Sequence, residues 1–285
     1  MPARVGPFSL LRRGRNGVRG TALLALAVAV AACERAAEAP SAATPSAAVM
    51  TRRVALERGL VALTAAPALG NVGTAWFLQQ LQARSPDARL AALLARSVPA
   101  LRADPSIRLI DPSAPPAVLQ ADPPRGLLRF ANYLLAPVGA PPQRAAAFVA
   151  ALLAPDEQGY VLTHQLLVLI WAEQFGVAVP PDAPALRARL LARIAAEQAA
   201  ARQPCSDLNA ERLAVLYTFA TPPPAEAAAW LDALVACQQA DGRWVDATPS
   251  QLTYDGQTVP AYHEWTHTTG LAVVALGFEQ ATTAP

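Results

Sequence analysis

The chain has 285 residues, of which 53% are hydrophobic and 15% charged, and its 23 basic residues, all arginine, face 21 acidic ones. This length and apolar content are sufficient for a globular domain with a sizeable core. Five arginines lie in the first twenty residues, which carry no acid, so the remainder has 18 basic residues against 21 acidic ones and a net charge near −3. A weakly acidic body gives no electrostatic case for nucleic acid or an anionic membrane surface as a partner, and we expect no nucleic-acid partner.

The N-terminal segment has the pattern of a secretion signal. Its arginine-rich start is followed by an apolar run over residues 22–32, within the length of about 7–15 residues that signal peptides use and too short to span a bilayer. The run ends in Val30-Ala31-Ala32-Cys33, which resembles the lipobox of bacterial lipoproteins. The resemblance implies cleavage before Cys33 and lipid attachment to its thiol, hence a membrane lipoprotein. Glu34, where an aspartate would favour inner-membrane retention, indicates the outer membrane, facing the periplasm. The alternative is an ordinary signal peptide with a chance cysteine.

The composition divides the chain into three segments. We predict a signal peptide over 1–32, a lipid-anchored flexible tether over 33–50 and a single α-helical domain over 51–285. The tether is small, polar and proline-containing, and it lacks the apolar surface needed to order itself.

The domain is predicted to be all-α, with about ten helices joined by short loops as helical hairpins. Apolar residues recur at three- and four-residue spacing, and proline clusters separate the segments. The predicted helices are 52–66, 72–84, 87–97, 125–136, 143–153, 161–175, 184–202, 207–220, 225–239 and 266–279. The proline-rich stretch 98–124 is predicted to be irregular, and Tyr254–Gln257 is a candidate turn within a short β-like piece.

Two features suggest repeated helical units. Thr163-His164 and Thr266-His267 each begin an apolar helix. The segment 236–244 (ACQQADGRW) resembles the CQxxDGGW turn of the α/α-toroid proteins, a group that includes terpene cyclases and protein prenyltransferase β subunits. In that family the Gln and Trp lock one helix pair to the next. The resemblance covers about residues 158–280 and implies an α/α-toroid or a partial one.

The resemblance has limits that bear on activity. Arg243 stands where the family usually has a second glycine, and the Asp-rich acid motif of the squalene cyclases is absent. Triterpene cyclisation is therefore not implied. Residues 160–164 together with 207–211 also resemble a set of bacterial toroid-like proteins.

In a toroid, the inner helices run parallel, so His164, Asp207 and His267 would meet at one mouth of the ring. Glu211 follows one turn below Asp207. Two imidazoles and carboxylates are ligands for a metal such as Zn²⁺, and they also serve as acid–base groups around a substrate. The alternative is that these residues are helix caps and structural hydrogen-bonding groups.

A second motif uses the same C-terminal histidine. His263-Glu264-Trp265-Thr266-His267 matches the H-E-x-x-H pattern of zinc metallopeptidases, which makes His263 and His267 candidate zinc ligands. Against it, Pro260 lies just upstream, and Val273 stands where an extended motif needs its third histidine.

Cys205 and Cys237 remain after lipidation of Cys33. An exported protein meets an oxidising compartment, and both cysteines lie at the open end of a predicted hairpin that turns near Pro223. We predict a disulfide. Free thiols and a zinc-ligating Cys205, similar to the Asp, Cys and His ligands of the prenyltransferases, are the alternatives.

Three functions remain open. The first is a lipid-anchored binding or scaffolding module facing the periplasm, with a protein or a small molecule as its partner. The second is an enzyme with a site at the His164/Asp207/His267 mouth, and the third is an H-E-x-x-H metallopeptidase. Convergent side chains within hydrogen-bond reach would favour a ligand or enzyme site over a scaffold.

Overall fold

The computed structural model describes residues 47–119, 132–246, 250–254, 257–261 and 265–283, which belong to one unit spanning 45–285. Most of these residues are helical, as the all-α prediction requires. The described α-helices are α1 (Ala47–Ala65), α2 (Val72–Arg84), α3 (Ala88–Ala100), α4 (Pro142–Leu153), α5 (Gly159–Gln174), α6 (Ala183–Ala200), α7 (Asp207–Phe219), α8 (Ala227–Val235) and α9 (Trp265–Thr283). In this part of the chain no helix combines the length and the apolar content needed to cross a membrane.

The strands are short and form two separate two-stranded sheets. β1 (Ala117–Val118) pairs in parallel with β2 (Gly139–Ala140), and β3 (Ser250–Tyr254) pairs antiparallel with β4 (Gln257–Ala261). Tyr254 lies opposite Gln257, so the last residue pair before the connection is the one that the sequence predicted to flank a turn. Within 98–124, α3 continues to Ala100, and a short 3₁₀ helix spans Ile107–Leu109.

Polar side chains fix where the helices begin. The Asp87 carboxylate accepts hydrogen bonds from the backbone N–H groups of Arg89 at 2.7 Å and Leu90 at 3.3 Å, which caps α3 close to its predicted start at residue 87. Asn71 caps α2 in the same way, through the backbone N–H of Thr74 at 2.9 Å. α1 begins at Ala47, inside the stretch predicted to be tether.

Helix α9 is the buried centre of the domain. Two glycines one heptad apart allow α2 to approach it: a Cβ at Gly270 would lie 2.4 Å from Thr74 Cγ2, and one at Gly277 would lie 2.6 Å from Leu81 Cδ1. The matched order of these contacts shows that α2 and α9 run parallel. Nearly the whole length of α9 is buried, which explains why its apolar residues follow no single stripe.

The turn after α8 ties α1 to the C-terminal half of the chain. The Gln238 amide donates to the carbonyl of Ala55 at 2.8 Å, and the Trp244 indole donates to the carbonyl of Leu234 at 2.8 Å. Trp244 is buried. Gly242 has φ +87°, and a Cβ there would lie 2.4 Å from the carbonyl oxygen of Arg58. The Gln and the Gly of the sequence motif therefore contact helix α1, and the Trp holds the turn against the end of α8.

The start of α1 meets the end of α9 through a partly buried ion-pair network. The Arg52 guanidinium donates to Asp232 Oδ1 at 2.7 Å and to Glu279 Oε1 at 3.1 Å. Gly59, two turns later on α1, lies against Val273. α1 thus runs antiparallel to α9, and its first turns lie at the opposite end of α9 from His267.

Candidate functional site

The first turns of α5, α7 and α9 meet, and they bring together four residues that the sequence singled out. These residues, called the mouth cluster below, are His164 on α5, Asp207 and Glu211 on α7, and His267 on α9. Asp207 is fully buried, and Glu211 is 3% exposed. The histidine side chains are slightly more accessible, at 12% for His164 and 11% for His267.

Asp207 faces the cluster because a neighbouring residue caps its helix. The Ser206 hydroxyl accepts the backbone N–H of Asn209 at 3.2 Å, which is the N-cap bond of α7. Asp207 is the first helical residue, and its carboxylate points to other helices. The interpretation of Asp207 as an ordinary helix cap is therefore wrong.

Both carboxylate oxygens of Asp207 accept hydrogen bonds from other elements. Oδ1 lies 2.8 Å from His267 Nδ1 and accepts the Thr268 hydroxyl at 2.5 Å. Oδ2 accepts the Tyr160 hydroxyl at 3.1 Å. A carboxylate with donors on both oxygens is held in one orientation.

Glu211 completes the cluster one turn along α7. Its Oε1 accepts the Thr163 hydroxyl and lies 3.3 Å from His164 Nδ1. The same Nδ1 lies 2.8 Å from the backbone carbonyl oxygen of Tyr160. Each carboxylate of the mouth cluster is therefore paired with one imidazole and at least one hydroxyl.

Electrostatics shift the pKa values of Glu211 and His267 in opposite directions. Burial opposes ionisation of Glu211, but the charges of His164 and His267 and the hydrogen bonds from His164 and Thr163 outweigh it, so the pKa of Glu211 lies below its ordinary value. Burial also opposes protonation of His267. The Asp207 carboxylate and, more weakly, Glu211 outweigh that burial and raise the pKa of His267 above its ordinary value.

The hydrogen-bond partners assign the histidine protons. A carboxylate and a carbonyl oxygen only accept, so Nδ1 of His267 and Nδ1 of His164 are the donors to Asp207 and to Tyr160 O. The proton that His267 gains or loses is therefore the one on Nε2. This is the arrangement of catalytic Asp–His pairs and of histidines whose ring orientation is fixed for metal binding.

Three of these residues also have the spacing of metal ligands. One ligand atom each from Asp207, Glu211 and His267 all lie within 4.8 Å of one another. Cys205 cannot join them as a thiolate, because it forms a disulfide with Cys237, with 5.3 Å between the Cα atoms. The hypothesis of Cys205 as a zinc ligand is therefore wrong.

The structure locates the remaining candidates as follows. Cys33, His263 and Glu264 lie outside the described residues. Trp76, Trp171 and Trp244 are fully buried in the core, where Trp76 and Trp171 pack edge to face with ring centroids 5.4 Å apart. These indoles pack within the hydrophobic core.

Sequence reasoning did not identify the hydroxyl groups of the site. Tyr160, Thr163 and Thr268 each donate to a carboxylate of the mouth cluster. Their only signal was adjacency: each lies within four residues of a histidine that was named. Hydroxyl residues are common at helix starts, so adjacency alone does not distinguish a site partner from a cap.

Comparison of the chain with family models, with curated proteins and with solved structures gives no match.

Proposed function

We propose that the chain is an exported lipoprotein, held at the membrane through Cys33 and facing the periplasm, whose toroid-like domain binds a small ligand at the mouth cluster. The observation that carries the ligand site is the convergence of two imidazoles and two carboxylates from three helices within hydrogen-bond reach. This convergence favours a ligand site over a scaffold with scattered polar groups.

Burial supports a functional role for these charges. Taking carboxylates and imidazoles out of water is costly, and apolar side chains of similar size would stabilise a purely structural helix junction at least as well. Perturbed titratable groups concentrate at functional sites. Because Asp207 and Glu211 are almost inaccessible, the ligand that contacts them is small and carries positive charge or hydrogen-bond donors.

An enzyme is the second candidate, and the Asp207–His267 pair favours it. With Nδ1 held by Asp207 at 2.8 Å, His267 exchanges its proton at Nε2, and the neighbouring negative charge stabilises the protonated ring. Such a pair acts as a general base towards a water or hydroxyl group and then as a general acid. The metallopeptidase hypothesis stays a prediction, since two residues of its motif lie outside the described part of the chain.

The helix directions support the toroid as the proposed architecture. α2 runs parallel to α9 and α1 antiparallel to it, and the first turns of α5, α7 and α9 meet. Alternating directions of this kind are expected when helical hairpins contribute one inner and one outer helix each.

The binding proposal is tested by a thermal-shift screen of small polar compounds on the full chain, with a chelator present. A ligand at 100 times its Kd stabilises a protein by about 2.7 kcal/mol, which raises the melting temperature of a domain this size by about 5–10 °C. We expect at least one compound to stabilise the wild type and the Glu226→Gln control, in which an exposed carboxylate is removed, but not Asp207→Asn. Equal shifts in all three proteins, or no shift in any, would contradict the proposal.

The enzyme candidate is tested with chromogenic esters, phosphates and glycosides. Loss of a general acid–base group lowers turnover by about 100-fold or more. His267→Gln should therefore abolish any turnover that the wild type shows, whereas Glu226→Gln should retain it. Turnover that persists in His267→Gln would assign the activity elsewhere.

A further inference from the structure

We propose that the mouth cluster is a site for one divalent transition-metal ion, Zn²⁺, with Asp207, Glu211 and His267 as its protein ligands. This inference deepens the proposed ligand site and rests on it, because it names the chemical class of the ligand. It uses the three residues whose ligand atoms lie together within 4.8 Å.

The separations bring three ligand atoms around one point. Zinc bonds to imidazole nitrogen and carboxylate oxygen are about 2.0–2.2 Å long, which places the ligand atoms of a tetrahedral site about 3.3–3.6 Å apart. Asp207 Oδ1 and His267 Nδ1 are hydrogen-bonded at 2.8 Å, so a zinc ion bound by both would displace the Nδ1 proton and widen this separation. The ligand atoms of the three residues lie within 4.8 Å of one another, so zinc binding would also draw the most distant pair closer together.

The surrounding groups orient these ligands. Asp207 Oδ2 accepts the Tyr160 hydroxyl, while Oδ1 accepts the Thr268 hydroxyl and faces His267, whose Nδ1 proton a metal ion would replace. Glu211 is held by the Thr163 hydroxyl. Hydrogen bonds to the outer atoms of metal-binding carboxylates are the usual second layer of a metal site. His164 Nδ1, 3.3 Å from Glu211 Oε1, is also within the spacing of a neighbouring ligand.

Charge and ligand type favour zinc over the other common divalent ions. Two carboxylates and a neutral imidazole balance a doubly charged ion, so a bound zinc ion would take over the charge compensation that His267 gives the buried carboxylates. Calcium takes six to eight oxygen ligands, and magnesium keeps several of its waters, so neither suits a buried set that includes imidazole. Imidazole with carboxylate is a common zinc ligand set.

The test is equilibrium dialysis of the full chain against zinc sulfate after the protein has been stripped with a chelator, with zinc measured by mass spectrometry. The wild type is expected to bind one zinc ion per chain. Glu211→Gln and His267→Gln should each bind at least tenfold more weakly, while Glu226→Gln should bind as the wild type does. Circular dichroism melting of each variant checks that a loss of zinc is not a loss of fold.

Three results would overturn the inference: no zinc in the wild type, equal zinc in wild type and both variants, or a loss of zinc on His263→Ala as large as the loss on His267→Gln. The last result would assign the ion to the H-E-x-x-H segment. If zinc does not bind but the compound screen in chelator gives a ligand lost in Asp207→Asn, the metal inference fails and the ligand-site proposal stands.

Discussion

Removal of the Cys205–Cys237 disulfide should lower the stability of the domain by an amount that follows from its loop length. The bond closes a loop with a sequence separation of 32 residues. In the chain-entropy model, a loop of this size restricts the unfolded chain by about 12 cal/mol/K, or about 3.7 kcal/mol at 25 °C. The double variant Cys205→Ser/Cys237→Ser should therefore unfold with a free energy about 3.7 kcal/mol lower than that of the oxidised wild type.

The assay is urea unfolding followed by circular dichroism, with and without a thiol reductant. Reduction should move the wild type to the midpoint of the double variant and leave the double variant unchanged, which separates the disulfide from other effects of the reductant. A difference below about 1 kcal/mol between oxidised wild type and double variant would refute the reasoning. It would mean either that the bond does not form or that the unfolded chain is already restricted.

Three further predictions concern the mouth cluster and helix α9, which carries His267. Asp207→Asn removes the charge that raises the pKa of His267 and should lower that pKa, measured from the imidazole resonances in a pH titration; an unchanged pKa would contradict the pairing. Because the folded-state pKa of His267 is raised, its contribution to stability is fully present below about pH 6.5 and is lost as the pH rises through the folded-state pKa. The wild type should be more stable than His267→Gln by a margin of unfolding free energy that shrinks as the pH rises. A margin that grows with pH would contradict the raised pKa of His267. Gly270→Ala places a Cβ 2.4 Å from Thr74 Cγ2 and should destabilise the domain by about 1–3 kcal/mol in urea; Thr74→Ala in the same chain should restore part of the loss, and additive losses would contradict the contact.

The helix positions could be predicted from the sequence where the pattern and its boundaries agree. α2 has its predicted bounds, since Asn71 and the end of the apolar spacing coincide with the helix ends. α8 was predicted over 225–239 but spans Ala227–Val235. Its end departs because the Gln238 amide bonds to the carbonyl of Ala55 and the chain turns towards α1. That contact joins residues 183 positions apart, which local periodicity cannot register.

The sequence identified the residues of the mouth cluster, but it did not predict which of them hydrogen-bond to each other. The scarcity of histidine and the Thr-His repeat identified His164 and His267, and the polar start of α7 identified Asp207 and Glu211. Which imidazole pairs with which carboxylate depends on how three helices cross, and that is fixed by tertiary packing. The same limit explains why Ser206, rather than Asp207, turned out to be the cap of α7.

The Arg52–Glu279 contact joins the start of α1 to the end of α9 that lies away from the mouth cluster. His267 and Glu279 are twelve residues apart on α9, so at about 1.5 Å per residue the contact lies about 18 Å along the helix from the mouth cluster. A handle attached ahead of α1 would therefore apply force beside the bidentate contact of Arg52 with Asp232, at a distance from the histidines and carboxylates. This separation would allow ligand occupancy to be monitored in single-molecule force measurements.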